Sequence, residues 1–164
     1  MISYFGYALL LLFVLFATGM LNPILHRLFD DTEFTGLEKT AVLAWRERLT
    51  DRQKEILDQQ LHILNLVQKG AGGAKVAAYY SGKSSIPRFE NTAQWGQENG
   101  THAATVEFSD LTSPDHTPLR VKIFLHEGRI FSVEYPKSPK RFVQKHGLDV
   151  DNLRVSKVTL HVSP

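Results

Sequence analysis

Seven histidines are the side chains of this 164-residue chain best suited to metal or acid–base chemistry: His26, His62, His102, His116, His126, His146 and His161. They are dispersed, and no two stand four residues apart, the spacing that puts two imidazoles on one helix face to bind zinc. The chain has no cysteine, which excludes disulfides, thiolate catalysis and cysteine-based zinc sites. The sequence therefore predicts no metal ion and no other cofactor.

An enzyme without a local motif would still need a cleft in which a histidine and a carboxylate converge. The side chains that could build such a cleft are His116 or His126 with Asp110, Asp115 or Glu127. The chain lacks both the GxSxG motif of serine hydrolases and the GxxxxGK[ST] motif of phosphate-binding loops. A non-catalytic role is therefore favoured, and a motif-less enzyme is the alternative.

A cluster of basic side chains lies near the C-terminus: Lys137, Lys140, Arg141 and Lys145. The ordinary explanation is the solvated face of a short helix. The specific alternative is contact with an anionic surface, either acidic lipid headgroups or an acidic partner. Each basic residue near an anionic membrane surface contributes on the order of 1 kcal/mol, so four of them could hold the domain there.

Aromatic side chains are the candidates for a ligand pocket or a partner surface. The residues predicted to form it are Tyr79, Tyr80, Trp95 and Phe124. Pockets are lined mainly by apolar and aromatic side chains, but the same residues would also suit ordinary core packing. The sequence leaves both interpretations open.

The N-terminal stretch from Ile2 to Leu21 is apolar, and no charged side chain appears before Arg27. Since a helix rises about 1.5 Å per residue, roughly 20 residues cross the ~30 Å hydrocarbon core of a membrane. We therefore predict a transmembrane anchor over residues 1–25 and a single-pass membrane protein. The alternatives are a signal peptide cleaved near Ala17-Thr18-Gly19 and a buried helix.

The rest of the chain is predicted to be a connection over residues 26–36 and one soluble α+β domain over 37–164. Basic side chains follow the apolar stretch, beginning with Arg27 and Lys39, so the positive-inside rule weakly favours a cytoplasmic domain. The formal net charge is only +2, which gives no strong field for nucleic acid. The domain divides into a helical part over 37–70, an irregular part over 71–101 and a β-rich part over 102–164.

Two helices are predicted in the helical part. Thr35 to Glu38 and Thr50 to Gln53 both have the form of a capping box, which marks a helix N-terminus. We therefore expect helices over Leu37–Leu49 and Asp51–Gln68, or one bent helix. The second has a wide apolar stripe, which favours packing on the domain's own sheet. A protein partner or a homodimer through helix 51–68 is the alternative.

Alternating apolar and polar residues predict strands from His102 onward. A three-residue hairpin loop, His126-Glu127-Gly128, would pair Ile123 with Phe131 on the apolar face. A short helix over Pro139–His146 follows, and then a last strand with either a bulge or its start near Val155. The predicted fold is α+β, with an N-terminal transmembrane helix and two helices packed on an antiparallel sheet of about four strands.

The sequence favours a membrane-anchored domain that binds or scaffolds. The segment from Leu49 to Leu57 resembles the opening helix of bacterial helix-turn-helix regulators, with Ala77–Gly82 in place of the second helix and its turn. That resemblance implies a membrane-tethered DNA-binding regulator. However, Lys83 stands where an apolar residue is expected, and Pro87 falls inside the would-be recognition helix. Binding to nucleic acid is therefore not favoured.

Overall fold

The computed structural model describes residues 4–17, 33–34, 36–64, 66–70, 73–79, 95, 100–112 and 117–161. By its contacts the chain divides into two units, Met1–Asp30 and Asp31–Pro164. In the first unit, helix α1 spans Tyr4–Ala17 and has 14 residues, so it is about 21 Å long. In the second unit, the predicted α+β class is confirmed.

The predicted transmembrane anchor over residues 1–25 is wrong. Within the described ranges, no helix is both long enough and apolar enough to cross a membrane. The single-pass membrane localisation and the cytoplasmic placement of the C-terminal domain both depended on the anchor, and they are corrected with it.

Three α-helices and six strands make up the described part of the second unit. They are α2 (Gly36–Arg46), α3 (Asp51–Ile63), β1 (Leu66–Lys69), β2 (Lys75–Tyr79), β3 (Thr101–Asp110), β4 (Leu119–His126), β5 (Arg129–Glu134), α4 (Pro139–His146) and β6 (Leu153–Leu160). A 3₁₀ turn over Val150–Asn152 precedes β6. The strands form one antiparallel sheet in the order β1-β2-β5-β4-β3-β6.

The prediction of about four strands is wrong because β1 falls largely in the predicted second helix and β2 lies in the part predicted to be irregular. The apolar pattern of α3 continues past its end, but the helix stops at Ile63 and β1 pairs with β2. Hydrogen bonds to a neighbouring strand override the local helix preference of these residues. Strand β2 also contains Ala77 and Ala78, so the resemblance to a helix-turn-helix fails at its second helix.

Helices α2 and α3 pack on one face of the sheet. Ile56 and Leu57 of α3 are buried in the same core as Val106 and Ile123 of the central strands, so the predicted packing of the apolar stripe is confirmed. The capping box at Thr50 is also confirmed, since its N–H donates to Gln53 Oε1 at 2.7 Å. The other predicted box begins at Thr35, which lies outside the described residues.

An ion pair joins the two helices. Arg46 Nε and Nη2 donate to the two carboxylate oxygens of Asp58 at 2.7 and 2.6 Å. These hydrogen bonds hold the pKa of the Asp58 carboxyl below its ordinary value. The bidentate geometry fixes the orientation of one helix relative to the other.

One buried amide anchors the β4–β5 hairpin to α3. The side chain of Gln60, which is 0% exposed, donates to the Gly128 carbonyl and accepts from the Ile130 N–H, both at 2.9 Å. The Gly128 carbonyl also accepts from the Trp95 N–H at 3.0 Å. Glu127 and Gly128 have φ angles of 49° and 67°, as a two-residue type I′ turn requires.

The predicted hairpin register is wrong. His126 pairs with Arg129, so the loop is Glu127-Gly128, and Ile123 pairs with Val133 rather than with Phe131. A bulge beside Phe124 and Leu125 leaves Phe131 as an extra residue of β5. A bulge places two successive residues opposite one, so Phe131 leaves the core face and contacts the His126 ring instead.

Other local predictions are confirmed. Helix α4 spans Pro139–His146, and Gly147 ends it in the left-handed conformation. Strand β6 has a bulge at Ser156, between the paired residues Val155 and Lys157, next to the position where the alternation breaks.

We expect Gln60→Leu to lower the free energy of unfolding by about 1–3 kcal/mol. The substitution leaves the buried Ile130 N–H without its acceptor, and an unsatisfied buried polar group costs about 1–3 kcal/mol. The control is Gln59→Leu at the exposed neighbour, where a surface change costs within about 0.5 kcal/mol. Urea denaturation measures both values. Equal losses would contradict the anchoring role.

Gly128→Ala should be much more destabilising than Gly100→Ala. Both glycines have positive φ, at 67° and 75°, so alanine carries a similar backbone cost of about 1–2 kcal/mol at each. Only at Gly128 would the added Cβ meet backbone, 1.8 Å from the Trp95 carbonyl oxygen, whereas it meets nothing within 4 Å at Gly100. Denaturation midpoints compare the two variants, and similar midpoints would show that the hairpin can move away from Trp95.

Candidate functional site

A groove of about 260 Å³ lies where α4 meets the start of β4 and the end of β5. We call it the basic groove. It is lined by Thr117, Pro118, Leu119, Arg120, Pro136, Lys137, Phe142, Lys145 and His146. The proline rings, Leu119 and Phe142 make its surface mainly apolar, while lysine and arginine side chains surround it.

Local signals in the sequence orient helix α4 at the groove. The Ser138 hydroxyl caps the helix by accepting from the Arg141 N–H at 3.3 Å, and a proline at the first helical position already has the backbone angle of a helix. Val143 is buried in the domain core. This anchor turns Phe142 toward the groove and leaves Lys140 exposed.

The positive charge around the groove has few acidic partners among the described residues. In the part of the chain that the structure describes, no ion pair joins Lys137, Lys140, Arg141 or Lys145 to an acidic side chain. Arg120 differs, since its Nε lies 3.0 Å from Glu107 Oε1. Among the described lining residues there is no carboxylate.

The structure separates the predicted basic cluster into two pairs. Lys137 and Lys145 line the groove, whereas Lys140 and Arg141 are exposed beyond it. Sequence reasoning missed the apolar lining from β4, because Leu119 comes from a distant part of the chain. The only local sign of this lining in the sequence was the apolar alternation of β4, and that pattern is equally typical of a core strand.

The predicted aromatic residues do not form one surface. Trp95 is buried in the core, with its ring 5.4 Å from the ring of Trp45. Tyr79, at 40% exposed, and Phe124 lie on the face of the sheet opposite α2 and α3. Tyr80 lies outside the described residues.

Among the described residues, the predicted histidines and carboxylates do not form a common cleft. His116 and Asp115 lie outside the described residues. The Asp110 carboxylate accepts from the N–H and hydroxyl of Thr112 at 2.7 and 2.6 Å, which is the pattern of a turn. Across the described residues, no group of three or more metal-ligating side chains is found.

A second cavity of about 210 Å³ lies beside helices α2 and α3. It is lined by Glu33, Phe34, Lys39, Val42, Leu43, Leu61 and Leu64. Its two charged groups, Lys39 and Glu33, form an ion pair at 3.0 Å. No histidine is among these residues, so neither cavity has the histidine and carboxylate that acid–base catalysis would use. A partner or homodimer at the α3 helix stays a prediction.

Two histidines on the open face of the sheet share one hydroxyl. The His102 Nε2 lies 3.1 Å from the Ala104 carbonyl, which can only accept, so Nε2 carries the proton. The Thr105 hydroxyl lies 3.1 Å from the same His102 Nε2 and 2.8 Å from His161 Nε2. The two imidazole rings stack with centroids 4.1 Å apart.

Comparison of the chain with protein-family profiles, with characterised proteins and with solved structures finds no match.

Acidification should destabilise the wild type more than His102→Gln. Burial, aided by the charges of His161 and Lys122, lowers the pKa of His102 below its ordinary 6.5. The folded state thus favours the neutral ring, and its stabilising effect is complete above pH 6.5 and lost as pH falls below that value. Urea unfolding at pH 7.5 and pH 5.5 measures the difference. His62→Gln, at an exposed helix position, should keep the wild-type pH dependence.

Proposed function

We propose that this chain is a binding domain rather than an enzyme, and that its basic groove takes an acidic peptide segment of a partner protein. The observation that supports this most directly is an apolar groove bordered by Lys137 and Lys145, whose charges have no acidic partner among the described residues. An acidic segment with one apolar side chain would match both features.

The size of the groove favours a side chain over a large ligand. Pockets for drug-sized molecules usually measure about 300–1,000 Å³, and this groove has about 260 Å³. Burial of apolar surface contributes roughly 25 cal/mol per Å². A leucine or phenylalanine of the partner would therefore provide the anchor against Phe142 and Leu119.

The distribution of charge favours an extended occupant. Lys140 and Arg141 are exposed on the helix beyond the groove, so acidic residues on either side of the anchor would find basic partners. Exposed charge pairs contribute mainly to the rate and specificity of association, and salt screens them. Binding should therefore weaken as the salt concentration rises. The affinity that remains at high salt should come from the apolar anchor.

The test uses the full-length chain and a fluorescein-labelled peptide, DDLFEE, followed by fluorescence anisotropy. We expect the double variant Lys137→Glu/Lys145→Glu to weaken binding by at least about tenfold, because two attractive contacts become repulsive. The peptide DDGGEE, which lacks the anchor, should also bind at least about tenfold more weakly.

The matched control is Arg48→Glu/Arg52→Glu, which changes the net charge equally at two exposed positions. It should weaken binding by less than about threefold, since screened charges act over roughly 10 Å. An equal loss in both double variants would show that only net charge matters and would overturn the proposal. Preferential binding to phosphatidylserine vesicles, with no binding of DDLFEE, would assign the basic cluster to lipid headgroups instead.

A further inference from the structure

A row of rings crosses the face of the sheet opposite helices α2 and α3. We call it the aromatic stripe, and it consists of Tyr79 (β2), Phe131 (β5), His126 and Phe124 (β4), His102 (β3) and His161, which follows β6. The strands bearing these rings are neighbours in the sheet. With strands about 4.8 Å apart, the stripe extends over about 19 Å.

The rings of the stripe hold one another in place. The Phe131 centroid lies 6.3 Å from that of Tyr79 and 5.3 Å from that of His126. The His102 centroid lies 5.1 Å from that of Phe124 and 4.1 Å from that of His161. All six side chains are exposed or half-buried. The stripe is therefore a preorganised surface open to solvent.

Basic side chains lie on the same face of the sheet. Glu107 and Glu134 are both paired there, with Arg120 at 3.0 Å and with Lys75 at 2.7 Å. Lys122 and Lys157 are exposed and have no ion pair with a described residue. The stripe itself contains no acidic side chain. The described residues of this face thus combine aromatic rings with more basic than acidic side chains.

We propose that this face binds single-stranded nucleic acid, with bases stacked on the aromatic stripe and phosphates near Lys122 and Lys157. Every base has a π-face that can stack on an aromatic side chain, and basic groups beside it follow the backbone. Antiparallel sheets with exposed aromatics bind single-stranded RNA by stacking two or three bases. An acidic peptide would match the charge but would leave the rings unused.

This inference does not depend on the basic groove or on a helix-turn-helix. The expectation against nucleic acid concerned a recognition helix in the major groove of a duplex, whereas a sheet surface requires unstacked single strands. Of the residues named for the two sites, only Arg120 is common to both, and it is paired with Glu107. Failure of either proposal therefore leaves the other intact.

The experiment measures anisotropy of fluorescein-labelled U12 and dT12 with the full-length chain at 50 mM NaCl. Phe124→Leu and Phe131→Leu keep an apolar side chain but remove the ring, so misfolding does not mask the result. We expect each to weaken binding by about 5- to 150-fold, the range for one stacked base. Lys122→Ala should reduce the salt slope by about one.

The controls are Leu43→Ala and Arg52→Ala, an apolar and a basic side chain that are exposed on the helices. Both should leave oligonucleotide binding within about twofold. No binding of U12 or dT12 at 50 mM NaCl would overturn the proposal, as would unchanged affinity in both leucine variants. Equal affinity for duplex DNA would assign the contact to charge alone. Displacement of U12 by excess DDLFEE would place the oligonucleotide in the basic groove, and the proposed use of the sheet face would then be wrong.

Discussion

The hydrogen bonds between Gln60 and the β4–β5 turn are the interaction on which the rest of the domain depends. A buried side-chain amide must satisfy both its donor and its acceptor, and Gln60 does so with Gly128 and Ile130. The turn it holds joins the two central strands of the sheet. The start of β4 and the end of β5 border the basic groove, and the outer faces of both strands carry the aromatic stripe. The hairpin that Gln60 anchors therefore contributes to both surfaces.

The same constraint explains why the hairpin register could not be derived from alternation alone. Three-residue and two-residue loops are both common, and the pattern of apolar residues favoured the first. The choice depends on Gln60 and Trp95, and Gln60 lies 68 and 70 residues in sequence from its two partners. The two-residue turn is compatible with a buried apolar face only because β5 has a bulge. That bulge moves Phe131 from the predicted core to the open face, where it becomes part of a surface.

Features that depend on neighbouring residues were predictable, and features that depend on distant contacts were not. The capping box at Thr50, helix α4 and the bulge beside Val155 follow from patterns a few residues long. Strand β1 required a partner strand to outweigh a helical pattern. The same distinction between local and distant features applies to the candidate site. The basic cluster was visible as a run of lysines, but its apolar lining was not, because β4 supplies Leu119 from another part of the fold.

A formal net charge of +2 is therefore a poor guide to what this domain can bind. Many of its acidic side chains are neutralised locally, as in the pairs Arg46–Asp58, Lys75–Glu134 and Arg120–Glu107. The lysines of the basic groove have no such partners among the described residues. Because screened charges act over roughly 10 Å, a ligand senses the local excess rather than the sum over the chain. Folding thus concentrates positive charge beside apolar and aromatic surface, and both proposed binding sites rest on that combination rather than on net charge or any motif.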